Sequence, residues 1–121
     1  MTAKQALTAV CEAWERLDAD ALAALFTADG VYEDPLKPEA LHGVAAIRDG
    51  NAPAMAVLAD CAIELGRVLA DDSVAFAEGV FRSALREGGR LDFPFALLVE
   101  MDGAGIRRVA EYFDTRPLLP G

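Results

Sequence analysis

The sequence predicts an α+β fold in which a curved, mostly antiparallel sheet forms a conical half-barrel and three N-terminal helices pack over its concave face. Apolar residues recur at helical spacing up to Asp60, and four extended segments separated by turn residues follow. Helices followed by a run of antiparallel strands are typical of this class. Helices laid across one face of a curved sheet enclose a hollow, which is a common place for a small-molecule site.

Two amphipathic helices are predicted at the N-terminus. The first spans roughly residues 3–17, and Thr2 with Gln5 forms a capping-box pattern at its start. Asp18 is well placed to cap the second helix, and the Asp-Gly pair at residues 29–30 ends it. The buried stripe predicted for this second helix consists of Ala21, Leu22, Leu25 and Phe26.

A short strand from Val31 to Asp34 is predicted next, and a loop with two prolines follows it. The third helix opens over residues 43–49, is interrupted by Gly50 and Asn51, and resumes over residues 53–58. Turn sequences typical of hairpins separate the four extended segments, which cover residues 61–70, 73–86, 90–101 and 106–115.

Length and charge restrict the function classes. The 121 residues are enough for one domain, which we assign to residues 1–121. The net charge of -9, from 20 acidic and 11 basic residues, argues against nucleic acid or an anionic membrane surface as a partner. Cys11 and Cys61 lie far apart without metal-ligand spacing, so neither a metal nor another cofactor is predicted. The lack of a long apolar stretch predicts a soluble cytoplasmic protein.

Asp34 is the first candidate catalytic residue. It ends the short strand and is followed by Pro35, which restricts the backbone. A carboxylate at this junction would face the mouth of the hollow, where it could act as a general base. Asp-Pro is also an ordinary turn signal, and this alternative stays open.

Three further residues are candidates for the site. Tyr32 is a possible hydrogen-bond donor, and Glu111 and Glu78 are possible acids on later strands. An inward-facing Glu111 would lie among apolar groups that raise its pKa; the alternative is that it faces solvent and pairs with Arg107 or Arg108. The apolar residues predicted to bind a ligand are Val10, Trp14, Phe26, Phe76 and Phe113.

The face that segment 73–86 turns to the hollow decides the role of Glu78. We expect one alternating set to face inward, comprising Phe76, Glu78, Val80 and Arg82. The outer face would then carry an apolar patch of Ala75, Ala77, Phe81 and Leu97. Since an uncovered patch of this kind is commonly an interface, the sequence predicts a homodimer.

Several segments resemble the SnoaL-like branch of the nuclear transport factor 2-like superfamily. They cover residues 18–26, 32–35 (Tyr-Glu-Asp-Pro), 42–47 (His-Gly-Val-Ala-Ala-Ile) and 112–114 (Tyr-Phe-Asp). The superfamily includes ketosteroid isomerases, limonene epoxide hydrolases and polyketide cyclases. The resemblance implies a conical α+β barrel that is usually a homodimer through the outer face of its sheet. In this comparison His42 precedes a helix-starting glycine and is expected to be structural.

The ketosteroid isomerase comparison implies a base without its usual partners. Asp34 falls on the aspartate that shuttles the proton in that family. The two oxyanion-hole donors, a tyrosine and a protonated aspartate, fall on Val10 and near Leu97. A loss of both donors would remove several kcal/mol of enolate stabilisation, so true ketosteroid isomerase activity is not expected.

The epoxide hydrolase comparison implies half of a site. Tyr32, Asp34 and Glu111 stand where that family positions its water. Its Arg and Asp that activate the epoxide fall on Gly79 and Phe81. A one-residue shift in register would bring Glu78 and Arg82 to these positions instead.

Two functions follow from these observations. The first is a cofactor-free acid/base enzyme, of the isomerase, cyclase, dehydratase or epoxide hydrolase type, with Asp34 as general base. Its substrate would be a small hydrophobic molecule such as a ketone, polyketide, terpenoid or steroid. The alternative is a non-catalytic protein that binds a small hydrophobic ligand or acts as a dimeric interaction module.

Overall fold

Three α-helices lie over one face of a six-stranded sheet in the computed structural model, which describes residues 1–118. The helices are α1 (Ala3–Glu15), α2 (Ala19–Ala23) and α3 (Val44–Ala56). The strands are β1 (Phe26–Glu33), β2 (Leu41–His42), β3 (Ala62–Ala70), β4 (Val74–Ala84), β5 (Arg90–Asp102) and β6 (Gly105–Tyr112). A short 3-10 helix covers Arg116–Leu118. The predicted α+β class and the predicted cover of helices are therefore confirmed.

Both predicted helix starts are confirmed. The Thr2 hydroxyl accepts a hydrogen bond from the backbone N–H of Gln5, and the Gln5 side chain accepts one from the N–H of Thr2. The Asp18 carboxylate accepts a hydrogen bond of 2.9 Å from the N–H of Ala21 at the start of α2. These contacts satisfy N–H groups that the first turn of a helix leaves unpaired. Of the helices within residues 1–118, none is long and apolar enough to cross a bilayer.

The end of α2 was predicted too late. The helix ends at Ala23, and β1 already begins at Phe26 instead of Val31. Phe26 pairs with Ile106 of β6, so its side chain enters the core from a strand. This pairing depends on a strand that is distant in sequence. The spacing of apolar residues around Phe26 alone therefore cannot reveal it.

The predicted interruption of α3 is absent, because the helix runs continuously through residues 50–53. The Asn51 side chain donates a hydrogen bond of 2.8 Å to the carbonyl of Ile47, one turn earlier in the helix. Gly50 serves a close approach: a Cβ atom there would come within 2.5 Å of the Leu41 side chain. Both residues thus fit a helix packed against β2, although their types are typical of turns.

The sheet has the order β2-β1-β6-β5-β4-β3. The long strands β3 to β6 are antiparallel neighbours, and β1 pairs in parallel with β6. This parallel pair brings Tyr32 beside Val109 and Glu33 beside Ala110. The C-terminal ends of β1 and β6 therefore meet at one edge of the concave face, and this pairing assembles the site described below.

The faces of β4 are opposite to those predicted. Ala75 and Ala77 are completely buried under the helices, and Phe81 faces the same side. Glu78 is exposed on the outer face, where its neighbour on β5 is Ala96. The small side chains of Ala75 and Ala77 let α1 approach the sheet closely. The larger side chains of Phe76 and Glu78 would prevent this approach if they faced the helix. The predicted outer patch of Ala75, Ala77, Phe81 and Leu97 is consequently part of the interior.

Candidate functional site

A cavity of about 550 Å³ lies between the helices and the concave face of the sheet. Most of its wall is apolar, with side chains from α1, the end of α3, and strands β3 to β5. Two carboxyl groups and an ammonium group, those of Asp34, Glu111 and Lys37, also line it, and we call these three residues the polar cluster. A predominantly apolar cavity of this size with a few convergent polar groups is typical of a small-molecule site.

One wall of the cavity is an aromatic row formed by Trp14, Phe81, Phe93 and Phe113. The rings of Phe81 and Phe93 stack with centroids 4.9 Å apart, and Phe93 lies 5.1 Å from Phe113. Trp14 meets Phe81 edge-on at 6.2 Å. Phe81 and Phe93 are direct cross-strand neighbours, so the sheet register holds the two rings in contact. The row gives an apolar ligand an aromatic wall to pack against.

Glu111 enters the cavity through the alternation of β6. It lies opposite Leu97, on the same face as the fully buried Val109. The hydroxyl of the completely buried Tyr32 donates a hydrogen bond to Oε1 of Glu111. Nε1 of Trp14 in turn donates to that hydroxyl at 3.1 Å. This chain of two hydrogen bonds fixes the Glu111 carboxyl from behind the cavity wall.

Burial raises the pKa of Glu111 from 4.5 to about 7, and the negative charge of Asp34 acts in the same direction. The hydrogen bond from Tyr32 and the positive charge of Lys37 oppose this rise in the pKa. The pKa of Tyr32 is raised well above its ordinary value by burial and by the Glu111 charge, so its hydroxyl stays protonated. Near neutral pH, Glu111 is thus present in both protonation states.

Asp34 closes the turn that follows β1. Its Oδ1 accepts a 2.7 Å hydrogen bond from the N–H of Leu36, and its Oδ2 forms an ion pair with Nζ of Lys37. The Asp34 side chain is only 5% exposed, and that of Lys37 is 23% exposed. The Asp34 carboxylate therefore shapes the turn that the Asp-Pro pair predicts, and it also lines the cavity.

The structure brings together some of the residues predicted for the site. Val10, Trp14, Asp34, Glu111 and Phe113 all line the cavity. Tyr32 lies one layer behind, in contact with Glu111 and Trp14.

Three other predicted positions were wrong. Glu78 and Phe76 are on the outer face of β4, because the strand presents its odd-numbered residues to the interior. Phe26 is buried in the core, where its ring lies 6.0 Å from that of Tyr32. The shifted register that would have brought Glu78 and Arg82 inward is therefore excluded, and the inner positions are held by Gly79 and Phe81.

The solvent-facing alternative for Glu111 is also wrong. Arg108 forms ion pairs with Glu33 and Glu100 on the outer face of the sheet, and Arg107 pairs with Glu100. Arg108 and Glu111 point to opposite faces of β6, because one position is even and the other odd. Arg107 falls at an irregularity in the pairing of β5 with β6 and pairs with Glu100 instead, so neither arginine meets Glu111 in the cavity.

Some cavity residues were missed in the sequence. Leu91, Phe93 and Phe95 line the cavity together with Leu97, and their strict alternation in the Leu-Asp-Phe-Pro-Phe run was a usable signal. Lys37 was also missed, although its spacing of three residues from Asp34 across a proline turn is typical of a local ion pair.

Other reactive side chains have no evident part in this chemistry. Cys11 lines the cavity, but burial raises its pKa to about 12, which keeps the thiol protonated. His42 is exposed on β2 and pairs with Val31. Within residues 1–118 no group of three or more His, Cys, Asp or Glu side chains is arranged to hold a metal ion.

Comparison with known proteins agrees with this architecture. The family model described as SnoaL-like domain matches residues 7–110. No curated protein matches the chain in sequence.

Solved structures share the fold over nearly the whole chain. A protein with a ketosteroid isomerase-like fold from Catenulispora acidiphila, in complex with trimethylamine, has a TM-score of 0.82 and 23% identity, over 93% of this chain and 88% of its own. A protein described as a SnoaL-like polyketide cyclase from Jannaschia sp. CCS1 has a TM-score of 0.81 and 10% identity, over 95% of this chain and 87% of its own. An LEH-like epoxide hydrolase from M. tuberculosis has a TM-score of 0.77 and 21% identity, over 93% of this chain and 83% of its own.

Proposed function

The chain belongs to the SnoaL-like domain family, and from this premise we propose that it is a cofactor-free acid/base enzyme acting on a small hydrophobic molecule. The class of substrate is a ketone, polyketide, terpenoid or steroid that fits a cavity of about 550 Å³. One observation carries the proposal: the Glu111 carboxyl, held by Tyr32, lies in the wall of an apolar cavity, and burial there raises its pKa to about 7. A general acid or base works best when its pKa lies near the working pH.

Glu111 is the better supported base of the two carboxylates. Each oxygen of Asp34 already accepts a hydrogen bond, one from Leu36 and one from Lys37, so this carboxylate is engaged in the turn and in an ion pair. Glu111 is held through Oε1 by Tyr32, and among residues 1–118 its Oε2 has no hydrogen-bonding partner. We therefore assign the proton transfer to Glu111, and Asp34 as general base is the alternative tested below.

The reaction begins when the ionised Glu111 takes a proton from the substrate. Return of that proton to a different atom would complete an isomerisation, and its use on a leaving hydroxyl would complete a dehydration. The hydrogen bond from Tyr32 keeps the carboxyl oriented in both protonation states. The apolar wall of the cavity screens charges less than water does, which strengthens the electrostatic interactions in the site.

The alternative function is a protein that binds a small hydrophobic ligand without converting it. It is favoured by the aromatic residue Phe81 on the cavity wall, where an epoxide-activating acid falls in the hydrolase comparison. Binding of trimethylamine by one structural relative is compatible with either function. Hydrolysis of an epoxide is accordingly the least supported of the enzymatic types.

A ligand screen separates these two functions. Apolar ketones, enones and epoxides are first tested for thermal stabilisation, which reports binding to the folded state. The compounds that bind are then tested for conversion by chromatography and for exchange of carbon-bound protons in D₂O by NMR. We expect at least one carbonyl compound to exchange or isomerise. If many compounds bind and none reacts, the chain is a binding protein.

We also propose that two copies pair through the outer face of the sheet. This face presents an apolar set near its centre, comprising Phe76, Val80, Pro94, Ala96, Leu98 and Tyr112, of which Tyr112 is 51% exposed. Self-complementary pairing of two copies would cover this apolar set.

Sedimentation at micromolar concentration is expected to give twice the chain mass. Val80→Lys, which places a charge in the patch, should shift the protein to the monomer without loss of helical signal. A monomeric wild type would contradict this assembly.

A further inference from the structure

Lys37 is a charged residue of the cavity to which the proposed function gives no role. It lies in the turn after β1, and its N–H donates to the carbonyl of Asp34 at 3.2 Å. Its side chain lines the cavity and is 23% exposed, although a lysine side chain ordinarily extends into solvent. The turn therefore directs a cation toward an apolar interior.

The ammonium group of Lys37 has bonding capacity left over. It carries three N–H donors, and within residues 1–118 its one hydrogen-bonding partner is Oδ2 of Asp34. The ion pair balances its charge, so the cation can remain partly buried. Two donors remain for a ligand in the cavity.

Lys37 also lies close enough to Glu111 to influence it. The charges of both Lys37 and Asp34 act on the pKa of Glu111, in opposite directions. All three side chains line the same cavity, so a bound molecule that touches Glu111 lies within the field of the lysine. Because the surroundings are apolar, this field is screened less than it would be at the surface.

We propose that the Lys37 ammonium binds the substrate oxygen on which negative charge develops, and that the substrate is therefore an enolisable carbonyl compound. This inference rests on the proposed function, since it assigns Glu111 the removal of the proton. Asp34 is then a positioning residue that holds Lys37 in place. The apolar body of the substrate lies against the aromatic row (Trp14, Phe81, Phe93 and Phe113).

The step balances without a co-reactant. The Glu111 carboxylate takes the proton from the carbon next to the carbonyl, and the C–H electron pair forms the new C=C bond. The carbonyl π pair moves to oxygen, giving an enolate whose charge meets the ammonium. The protonated Glu111 then returns the proton to the same carbon or to a conjugated one. Preorganised positive charge at a developing oxyanion is among the largest contributions to such steps.

Binding of 4-nitrophenolate at pH 8 tests the role of Lys37, because this anion mimics a planar enolate and is visible by absorbance. The assay uses the Glu111→Gln variant, which removes the competing negative charge and any proton transfer by Glu111. In that background Lys37→Met should weaken binding about tenfold or more, as expected for a lost charged hydrogen bond. Lys37→Arg should restore most of the affinity, and Lys4→Met on exposed α1 surface should have no effect.

A neutral analogue without the hydroxyl, 4-nitrotoluene, distinguishes oxyanion binding from a general role in shaping the cavity. Its affinity should be the same with and without the Lys37→Met substitution if the fold is intact. Equal binding of 4-nitrophenolate by both proteins would overturn the assignment of Lys37. The protein could also bind 4-nitrophenolate through Lys37 and yet convert no carbonyl compound. That result would support the oxyanion site at Lys37 but would contradict the assignment of Glu111 as a catalytic base.

Discussion

Replacement of Glu111 by glutamine is expected to lower the turnover of a true substrate by about a hundredfold or more. Glutamine has nearly the same shape, and its carbonyl oxygen still accepts the hydrogen bond from Tyr32, but it cannot take a proton. Ligand affinity should change little, because the cavity wall stays apolar and intact. The measurement is kcat beside the dissociation constant of a substrate found in the screen.

Two variants serve as comparisons in the same assay. Glu78→Gln alters an exposed acid on the outer face and should retain full activity. Asp34→Asn should cost less than Glu111→Gln, because it weakens only the placement of Lys37. A larger loss in Asp34→Asn than in Glu111→Gln would return the role of base to Asp34.

The second large effect is on stability, because the pKa of Glu111 is raised from 4.5 to about 7 in the folded state. The folded protein holds this proton to higher pH than the unfolded chain does. The stabilising contribution is thus complete below pH 4.5 and is lost as the pH rises toward 7. The full difference corresponds to about 3 kcal/mol of unfolding free energy. Glu111→Gln is therefore expected to be more stable than the wild type at pH 8.

Urea unfolding of both proteins at pH 4 and pH 8 checks this prediction. The difference in unfolding free energy between variant and wild type should grow by about 3 kcal/mol in favour of the variant as the pH rises. Glu78→Gln controls for the change in net charge and should give no such trend. A constant difference across this range would mean that Glu111 titrates as an ordinary surface acid.

Much of the fold was predictable because its signals are local. Helix caps at Thr2 and Asp18 and the Gly-rich turns between strands depend on a few adjacent residues. The start of β1 was not predictable in this way, because Phe26 joins the sheet by pairing with Ile106. That neighbour is far away in sequence, so the local helical period was misleading.

The composition of the site was harder to predict than its location. A shift of one residue decides which alternating set of β4 side chains faces the cavity, and both sets contain apolar side chains. Packing against α1 selects the set with Ala75 and Ala77, and this selection moves Glu78 outside. Glu111 was predictable as a candidate because an acid among large apolar residues is conspicuous on a strand. Its contact with Tyr32 depends on the parallel pairing of β1 with β6.

The central claim is that Glu111 exchanges a proton near neutral pH inside the apolar cavity. The most direct measurement is a carbon-detected NMR titration of the protein with ¹³C-labelled glutamate carboxyl groups, in which the signal missing from Glu111→Gln identifies Glu111. This titration needs no substrate and reads the proton-accepting group itself. The account predicts a midpoint near pH 7 for Glu111. A midpoint near 4.5, the ordinary value, would contradict it.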